Sequence, residues 1–556
     1  VAAAHVHDPA VGRKLNAAVD ASSRLRSLGC LQILRSHWFD AMLIAQNTGL
    51  LAEPDDCARE PIHIIGHIQS HGLLFALSEP DLIVQQVSAN VADLLGTAVD
   101  SVLGGAFETL LGARQFAFFR SNAIVEDAGL GKPFRVNFGH GGELEMNGVA
   151  HRQDGVLIAE FELLKDVHSL GPIDLAAHIQ APLARMQKAS DIESLARIAV
   201  SEIQRLSGFD RVMVYQFDEA WNGVIVAEHA GGSPVSYLGL HFPASDVPAQ
   251  ARKLFLTNFL RTLADVGSAP VPIVPAVGPL TGRPLDLTRS FLRSASPVHI
   301  EYLINMGVRA SMTISIVVEE RLWGMIACHH NTPRAVDCAT RSVCELVGGM
   351  LATQMALMID KVKLQEWRLS RKILEKYMAG IEASNLLFEA HPFQSAQLLD
   401  LFDADGLISS LDGVISYRGK TVALESLLPV LGKLQKFAAR GVASSNTLCA
   451  FDPAASSYAT NVSGALYVLL GEVSGDYVLL LRQDLVQTVV WGGNPDKALH
   501  TDAAGKLRPR SSFAAWQETV RGVSRPWTEV QLENARFLRE QQIRLREARR
   551  RKLEQT

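Results

Sequence analysis

A helical pattern runs from about Thr340 to Asn385, with Val343, Val347, Met350, Met355, Met358 and Val362 recurring at helical spacing. At about 1.5 Å per residue such a helix reaches roughly 65 Å. That is too long for one globular domain, so the rod is expected to bridge two and to offer a seam along which a second copy pairs. Its weak point is Gly348-Gly349, each glycine costing roughly 1 kcal/mol against alanine. A chain of 556 residues has room for roughly three to four domains. Its 48% apolar and 20% charged content is that of a globular protein. The net charge of −5 gives no reason to expect nucleic acid as a partner. No run approaches the roughly 18 apolar residues that span a membrane, and VAAAHVHDPAVGRK lacks the apolar core of a secretory signal. Cysteines 30, 57, 328, 338, 344 and 449 are scattered, with no CxxC pair. That excludes a disulfide framework and a structural zinc site and fits a reducing cytoplasm.

On either side of the rod the pattern is that of small α+β domains. Ile33, Leu34, Trp38, Phe39, Met42, Leu43 and Ile44 form a short amphipathic helix that either packs on the body or docks a partner. Strands are expected over 72–77 and 82–87, joined by Ser78-Glu79-Pro80-Asp81, then a helix over 91–95 stopping at Gly96. Alternating stretches at 134–138 and 156–163 complete an antiparallel sheet. Ser190-Asp191-Ile192-Glu193 reads as a capping box for a helix bearing Leu195, Ala199, Ile203 and Leu206 and ending at Gly208. Strands follow at 211–217 and 224–228, then, beyond a long insert, at 312–318 and 322–329 around Glu319-Glu320. After the rod come strands 466–472 and 477–483 with the turn Val473-Ser474-Gly475-Asp476. A helix over 527–555 closes the chain, its basic end (Arg546, Arg549, Arg550, Arg551, Lys552) suiting a helix C-terminus.

Two short strings carry chemistry. In HFPASDVPAQAR (241–252) Pro243 and Pro248 bracket Asp246. Each proline fixes its own φ and pushes the residue before it out of helix. Phe242 and Val247 are therefore expected to be extended, with Asp246 on a stiff non-helical turn. The competing reading makes Asp246 or Ser245 the cap of a helix over 249–256. In DCAREPIHI (56–64) Cys57 stands among charges on an irregular segment, where Arg59 favours thiolate. A small buried hydrophobe is the alternative for a lone cysteine.

PASDVPAQAR, LRSASPVHIEYLINMGVRAS and LWGMIACHHNTP resemble, in order and spacing, the chromophore-binding GAF domain of phytochromes. CAREPIHI followed by GHIQSHG resembles the start of bacteriophytochromes, and VVWGGNP with LRPRSSF resembles the tongue of their PHY domain. The likeness covers about 55–540. It implies an α+β fold of three domains, PAS–GAF–PHY, with antiparallel sheets and long connecting helices. The corresponding division is an extension at 1–54, PAS at 55–165, GAF at 175–360 and PHY at 361–530 with its tongue at about 489–520. An output-linking helix at 531–556 follows. Ile65 and Ser70 depart from the pattern, standing where prolines are common.

The resemblance implies a red/far-red photoreceptor. Its cofactor would be biliverdin IXα, linked through a thioether to Cys57, and it would switch by Z/E isomerisation. Asp246, with Phe242 and Val247 in the same motif, corresponds to the acid beside the pyrrole nitrogens. His299 matches the histidine bound there through water, and His329 the one at the last ring's carbonyl. Arg261 and Arg293 match the propionate clamps, where a guanidinium fork suits a carboxylate, with Ser296, Ser311 and Thr313 as hydroxyl donors. Tyr215 and Tyr302 match the aromatic residues around the rotating ring. Phe255 stands where a tyrosine is typical, so one propionate contact is expected to be missing. Val298 occupies the position of the cysteine that marks other bilins, which selects biliverdin. Arg510, with Trp491, Pro509 and Ser512, belongs to the tongue switch, Arg510 pairing with Asp246 in one state. The implied partners are a second copy through the long helices and an output domain or response regulator. The chain itself is expected not to be an enzyme, having no P-loop, kinase phosphoacceptor box or paired catalytic carboxylates. The competing reading is a PAS/GAF regulator that senses another ligand, such as a cyclic nucleotide.

Overall fold

A computed structural model describes residues 60–123, 133–139, 144–163, 172–232, 235–384, 392–411, 413–438, 440–471, 475–495, 499–501 and 507–555. Cys57 and the expected helix over 33–51 lie outside them, as does part of the turn at 473–476. The architecture is α+β, in two compact units, whose described residues run over 60–356 with 490–516, and over 357–489 with 517–555.

The first unit holds two sheets. One has seven strands in the order His67–Ile68, Val271–Val274, Ile83–Ser88, Gly72–Ser78, Val156–Leu163, Leu144–Gln153 and Phe134–Phe138. Gly72–Ser78 is apolar almost throughout because both its faces are covered. Leu73, Phe75 and Leu77 join an aromatic core with Phe107, Phe119, Phe138 and Phe161. Leu74 and Ala76 face Ile158, Leu287 and Leu292. The strand Val271–Val274 comes from the long insert expected after residue 228, and the segment 60–69 is laced to that insert. Leu287 N donates to His63 O (2.7 Å), Gln69 N to Leu292 O (2.8 Å) and Ser294 N to His67 O (3.1 Å). Sequence reading anticipated the strands at 134–138 and 156–163 but not Leu144–Gln153, whose hydrophobicity is diluted by Glu145, Asn147 and Arg152.

The second sheet orders Leu260–Leu263, Ala310–Val318, Arg321–His330, Arg211–Phe217, Gly223–His229 and His241–Phe242, and Trp491 pairs parallel to His241. Glu319 and Glu320 make its expected tight turn, both left-handed at φ 49° and 61°. The helix Ile192–Ser207 ends as expected at left-handed Gly208. Its capping box, however, is one residue later than the sequence pattern implied. Asp191 caps Ser194 N and Ser194 reciprocates, while Ser190 donates to Asp191 instead. A helix over Pro172–Met186 precedes it that no sequence signal announced.

The rod is the helix Cys338–Ser384, 47 residues long and so about 70 Å. Contrary to the expectation from composition, an 18-residue window in it is apolar enough to cross a membrane by length and hydropathy, at a mean of 1.5. About 33% of that window is buried, and Val343, Cys344, Val347, Leu351 and Met355 are packed inside the first unit. Gly348, read as a weak point, permits that packing, since an added methyl would fall 2.5 Å from Ile314 Cγ2.

In the other unit a five-stranded antiparallel sheet runs Val414–Gly419, Gly406–Leu411, Tyr477–Arg482, Gly464–Leu469, Val442–Ser445. Leu407, Leu466 and Leu480 pack on Leu374 and Tyr377 of the rod and on Leu532 and Leu538 of the final helix, Glu529–Glu554. Ile408, Leu479 and Leu481 face the helix Leu424–Phe437. Arg482, 2% exposed, donates to the carbonyls of Phe402, Asp403, Arg525 and Pro526 and to Gln531 Oε1, and stacks 3.8 Å over Trp527.

Candidate functional site

Strand periodicity builds one wall of a cavity of about 210 Å3 in the first unit. Register places Arg261 opposite Thr313, Leu263 opposite Ser311, and Ser311 opposite His329. It also pairs Ala327 with Met213 and Met325 with Tyr215. Residues two apart share a face, so this one row of partners all lines the cavity. The other wall is two short helices, Ala249–Thr257 and Pro297–Asn305. Ser296 caps the second, accepting from His299 N at 3.3 Å. Phe242, Val247 and Phe255 also line the space.

Asp246 lines the cavity. The turn that carries it is not wholly non-helical, as expected, but a single 3-10 turn, Ala244–Asp246, with Val247 out of helix at φ −127°. The capping alternative fails, because the following helix has Pro248 at its cap with no side-chain bond. Asp246 Oδ2 accepts from Tyr302 OH (2.9 Å) and is ion-paired with Arg510. The two paired side chains are only 6% and 3% exposed. Burial pushes the Asp246 carboxyl up to about 6, against the pull of Arg510 and Tyr302. The Arg510 guanidinium lies 4.9 Å over Phe513 and 5.6 Å over Phe242, and its Nε and Nη1 have no hydrogen-bond partner.

Arg510 arrives on a hairpin in which Leu507–Pro509 pairs with Leu499–Thr501. Pro509 closes part of the cavity. Arg508 bridges Glu301 (2.8 Å), and Asn305 Nδ2 donates to Arg510 O (3.1 Å). Trp491 packs edge-on against His241 at 5.8 Å. The glycines after it are demanded by close approach. A methyl on Gly492 would fall 2.8 Å from the Phe242 ring, and Gly493, at φ 100°, would place one 2.4 Å from Ser512 O. Ser512, grouped by sequence with the switch residues, is exposed and does not line the cavity.

Two arginines also line the cavity. Arg261 Nη2 donates to Arg293 O (3.0 Å) and Ser294 O (2.9 Å), and Arg293 Nη1 to Ile62 O (2.9 Å). Arg261 Nη1 and Arg293 Nε are buried without partners. Burial, then the neighbouring Arg293, holds Arg261 well below the usual arginine range, while burial lowers Arg293 to about 10. Burial also lowers His299 and His329 to about 4, with nearby arginines adding to it. Both imidazoles are thus neutral near pH 7, so the positive charge here belongs to the arginines. Tyr215 OH is buried without a partner. Its ring occupies the space a methyl on Gly223 would take.

Sequence reading missed Glu60 on the cavity wall, where burial raises its carboxyl despite a hydrogen bond to the Ser296 side chain. It stands three residues after Cys57, in a string read only for the cysteine. Among the described residues no cluster could hold a metal ion.

Buried, unpartnered guanidinium donors facing an apolar cavity fit a ligand with carboxylates, because such donors forfeit water without replacement until an anion arrives. Family models match in chain order: a PAS fold over 57–164, a GAF domain over 191–359 and the phytochrome region over 368–551. The chain is 36% identical over 500 residues to the bacteriophytochrome of Xanthomonas campestris pv. campestris, covering 87% of this chain and 77% of that one. It is 36% identical over 489 residues to cyanobacterial phytochrome B of Nostoc sp., with 87% of this chain covered but 65% of the relative's length. Among solved structures, a bacteriophytochrome of the photosynthetic bacterium R. palustris matches at TM-score 0.80 and 35% identity, over 89% of this chain and 99% of that one. The photosensory core module of the Stigmatella aurantiaca phytochrome matches at TM-score 0.78 and 32% identity, over 89% and 98%.

Proposed function

The chain belongs to the phytochrome family, and on that premise we propose that it is a red/far-red light receptor holding biliverdin IXα through a thioether to Cys57. The observation that carries the reading is the buried pair Arg261 and Arg293, each with a donor unpartnered beside the cavity. They would take the two propionates, with Ser296, Ser311 and Thr313 as hydroxyl donors around them. Neutral His299 and His329 would each offer one nitrogen as donor and one as acceptor. Asp246 would accept from pyrrole N–H groups with its remaining lone pairs, and Tyr215 and Tyr302 would wall the ring that moves. The bound pigment supplies light absorption and Z/E isomerisation about the bond to its last ring.

The protein's part in signalling follows from the Asp246–Arg510 pair. Breaking a buried pair by removing one partner costs about 3–5 kcal/mol, enough to bias a two-state element strongly. A change of contacts at Asp246 would release Arg510, let the tongue around 489–520 refold and move the long helices. Pairing of two copies along those helices, a cytoplasmic location and relay to an output domain or response regulator belong to the same proposal.

The test is an absorption spectrum of the purified chain mixed with biliverdin, before and after red and far-red light, beside Cys57→Ser. A sharp red band that converts reversibly, with covalent pigment lost in the variant, is expected. A chain that forms no stable adduct, or a band that light does not move, would refute the reading and favour a PAS/GAF sensor of another ligand.

A further inference from the structure

One fully buried acid has no part in the reading above. Glu160 lies in the strand Val156–Leu163 of the seven-stranded sheet and is 0% exposed. Its carboxylate accepts from Ser290 Oγ, from Phe291 N (3.2 Å) and from Leu292 N (2.9 Å), all three in the loop that ends at Arg293. Leu292 O in turn accepts from Gln69 N, and Arg293 reaches the cavity with its Nε unpartnered. A strand residue of the first domain thus grips the three residues before a cavity arginine.

We propose that Glu160 is a positioning residue, whose carboxylate fixes residues 290–292 and so aims Arg293 at a ligand carboxylate. This rests on the reading of the cavity as a biliverdin site. Two features favour it over simple core packing. The negative charge of Glu160 also acts on Arg293, favouring its charged form. And a glutamine of the same shape would turn an N–H2 group toward donors, which only an acceptor on both oxygens can satisfy.

The groups facing Glu160 are few. His151, on the neighbouring strand, has Nδ1 3.9 Å from Glu160 Oε2, and burial holds it neutral with a pKa of about 4. Glu162 on the same strand is paired with Arg341 (2.6 Å). Asp286 and Arg289 on the loop act on His151. Burial pushes Glu160 up to about 7, against its three hydrogen bonds. The ionised form, which accepts all three bonds, therefore predominates above neutrality.

The experiment measures equilibrium biliverdin binding in a Cys57→Ser background, where attachment cannot mask affinity, for the unaltered site, Glu160→Gln, Arg293→Gln and the double variant, from pH 6 to 8. Glu160→Gln should raise Kd at least about 10-fold at pH 8 and lose the tightening with pH that the unaltered site gains on ionisation. Added to Arg293→Gln it should change Kd less than about 2-fold, because there is no arginine left to aim. Equal affinities, or a loss that is undiminished without Arg293, would overturn the proposal. Absence of biliverdin binding by the unaltered site would overturn the light reading instead. Hydrogen exchange of the Phe291 and Leu292 amides in the pigment-free chain then decides: exchange about 10-fold faster in Glu160→Gln supports positioning, and unchanged exchange overturns it.

Discussion

Replacing Arg510 by methionine keeps an apolar stem among Phe242, Tyr302 and Phe513 and removes the charge that faces Asp246. Both partners are nearly inaccessible to water, so the cost belongs to the buried class, about 3–5 kcal/mol. Its lower end applies at pH 8, because Asp246 has an escape. From a carboxyl already raised to about 6, and higher once Arg510 is gone, taking up a proton at pH 8 costs at most about 2.7 kcal/mol, at about 1.36 kcal/mol per unit. About 2.7 kcal/mol corresponds to a roughly 100-fold rise in local opening of the hairpin. Hydrogen exchange of the amides at 507–513, corrected for intrinsic rates, reads that rise directly. The ionic part of the penalty exists only while Asp246 is charged, so it is present above about pH 6 and lost as the pH falls through that value. At pH 5 the variant and the parent should differ less than about 10-fold. Global stability follows the opposite sign. The folded carboxyl stands above its unfolded value of 3.8, so this group makes folding less favourable as pH rises from about 4 to 6. Exchange at 507–513 that is unaltered at pH 8, or equally faster at both pH values, would refute the account of Arg510 as an ionic latch.

Three further outcomes are expected. Arg261→Gln should stabilise the pigment-free chain by about 1 kcal/mol in urea unfolding, since it removes an incompletely partnered buried cation, while weakening biliverdin binding more than 10-fold. Gly223→Ala should cost about 1–3 kcal/mol, because its methyl would lie 1.7 Å from Tyr215 Cζ and force that ring off the cavity wall; an unchanged melting temperature would contradict the contact. Arg482→Met should cost about 4 kcal/mol or more, as several buried carbonyls lose their donor together, and a loss under about 1 kcal/mol in denaturant titration would show that water replaces it.

Local chemistry made much of the molecule legible in the chain. Gly96 and Gly208 end helices where their left-handed backbone is cheap, Glu319-Glu320 turns a hairpin, and apolar spacing marks the rod to within about two residues at either end. Pro243 and Pro248 keep Val247 out of helix by ring sterics alone. Cavity residues such as Arg293, His299 and Tyr302 lie in a string that carries a family likeness, and none of them is distinguishable by spacing from a surface arginine or a core residue. What the chain could not show is any fact that depends on partners distant in sequence. That Val271–Val274 completes a sheet begun 200 residues earlier, that Gly348 and Gly492 serve close approach, and that Glu160 grips the loop to Arg293 are all outcomes of packing. The pairing of Asp246 with Arg510 across 264 residues was implied by the family likeness, not by anything in the spacing of either string. A residue's φ preference and its neighbours' periodicity are written in the sequence, whereas burial, and with it the strength of every charge at this site, exists only once the tertiary structure has excluded water.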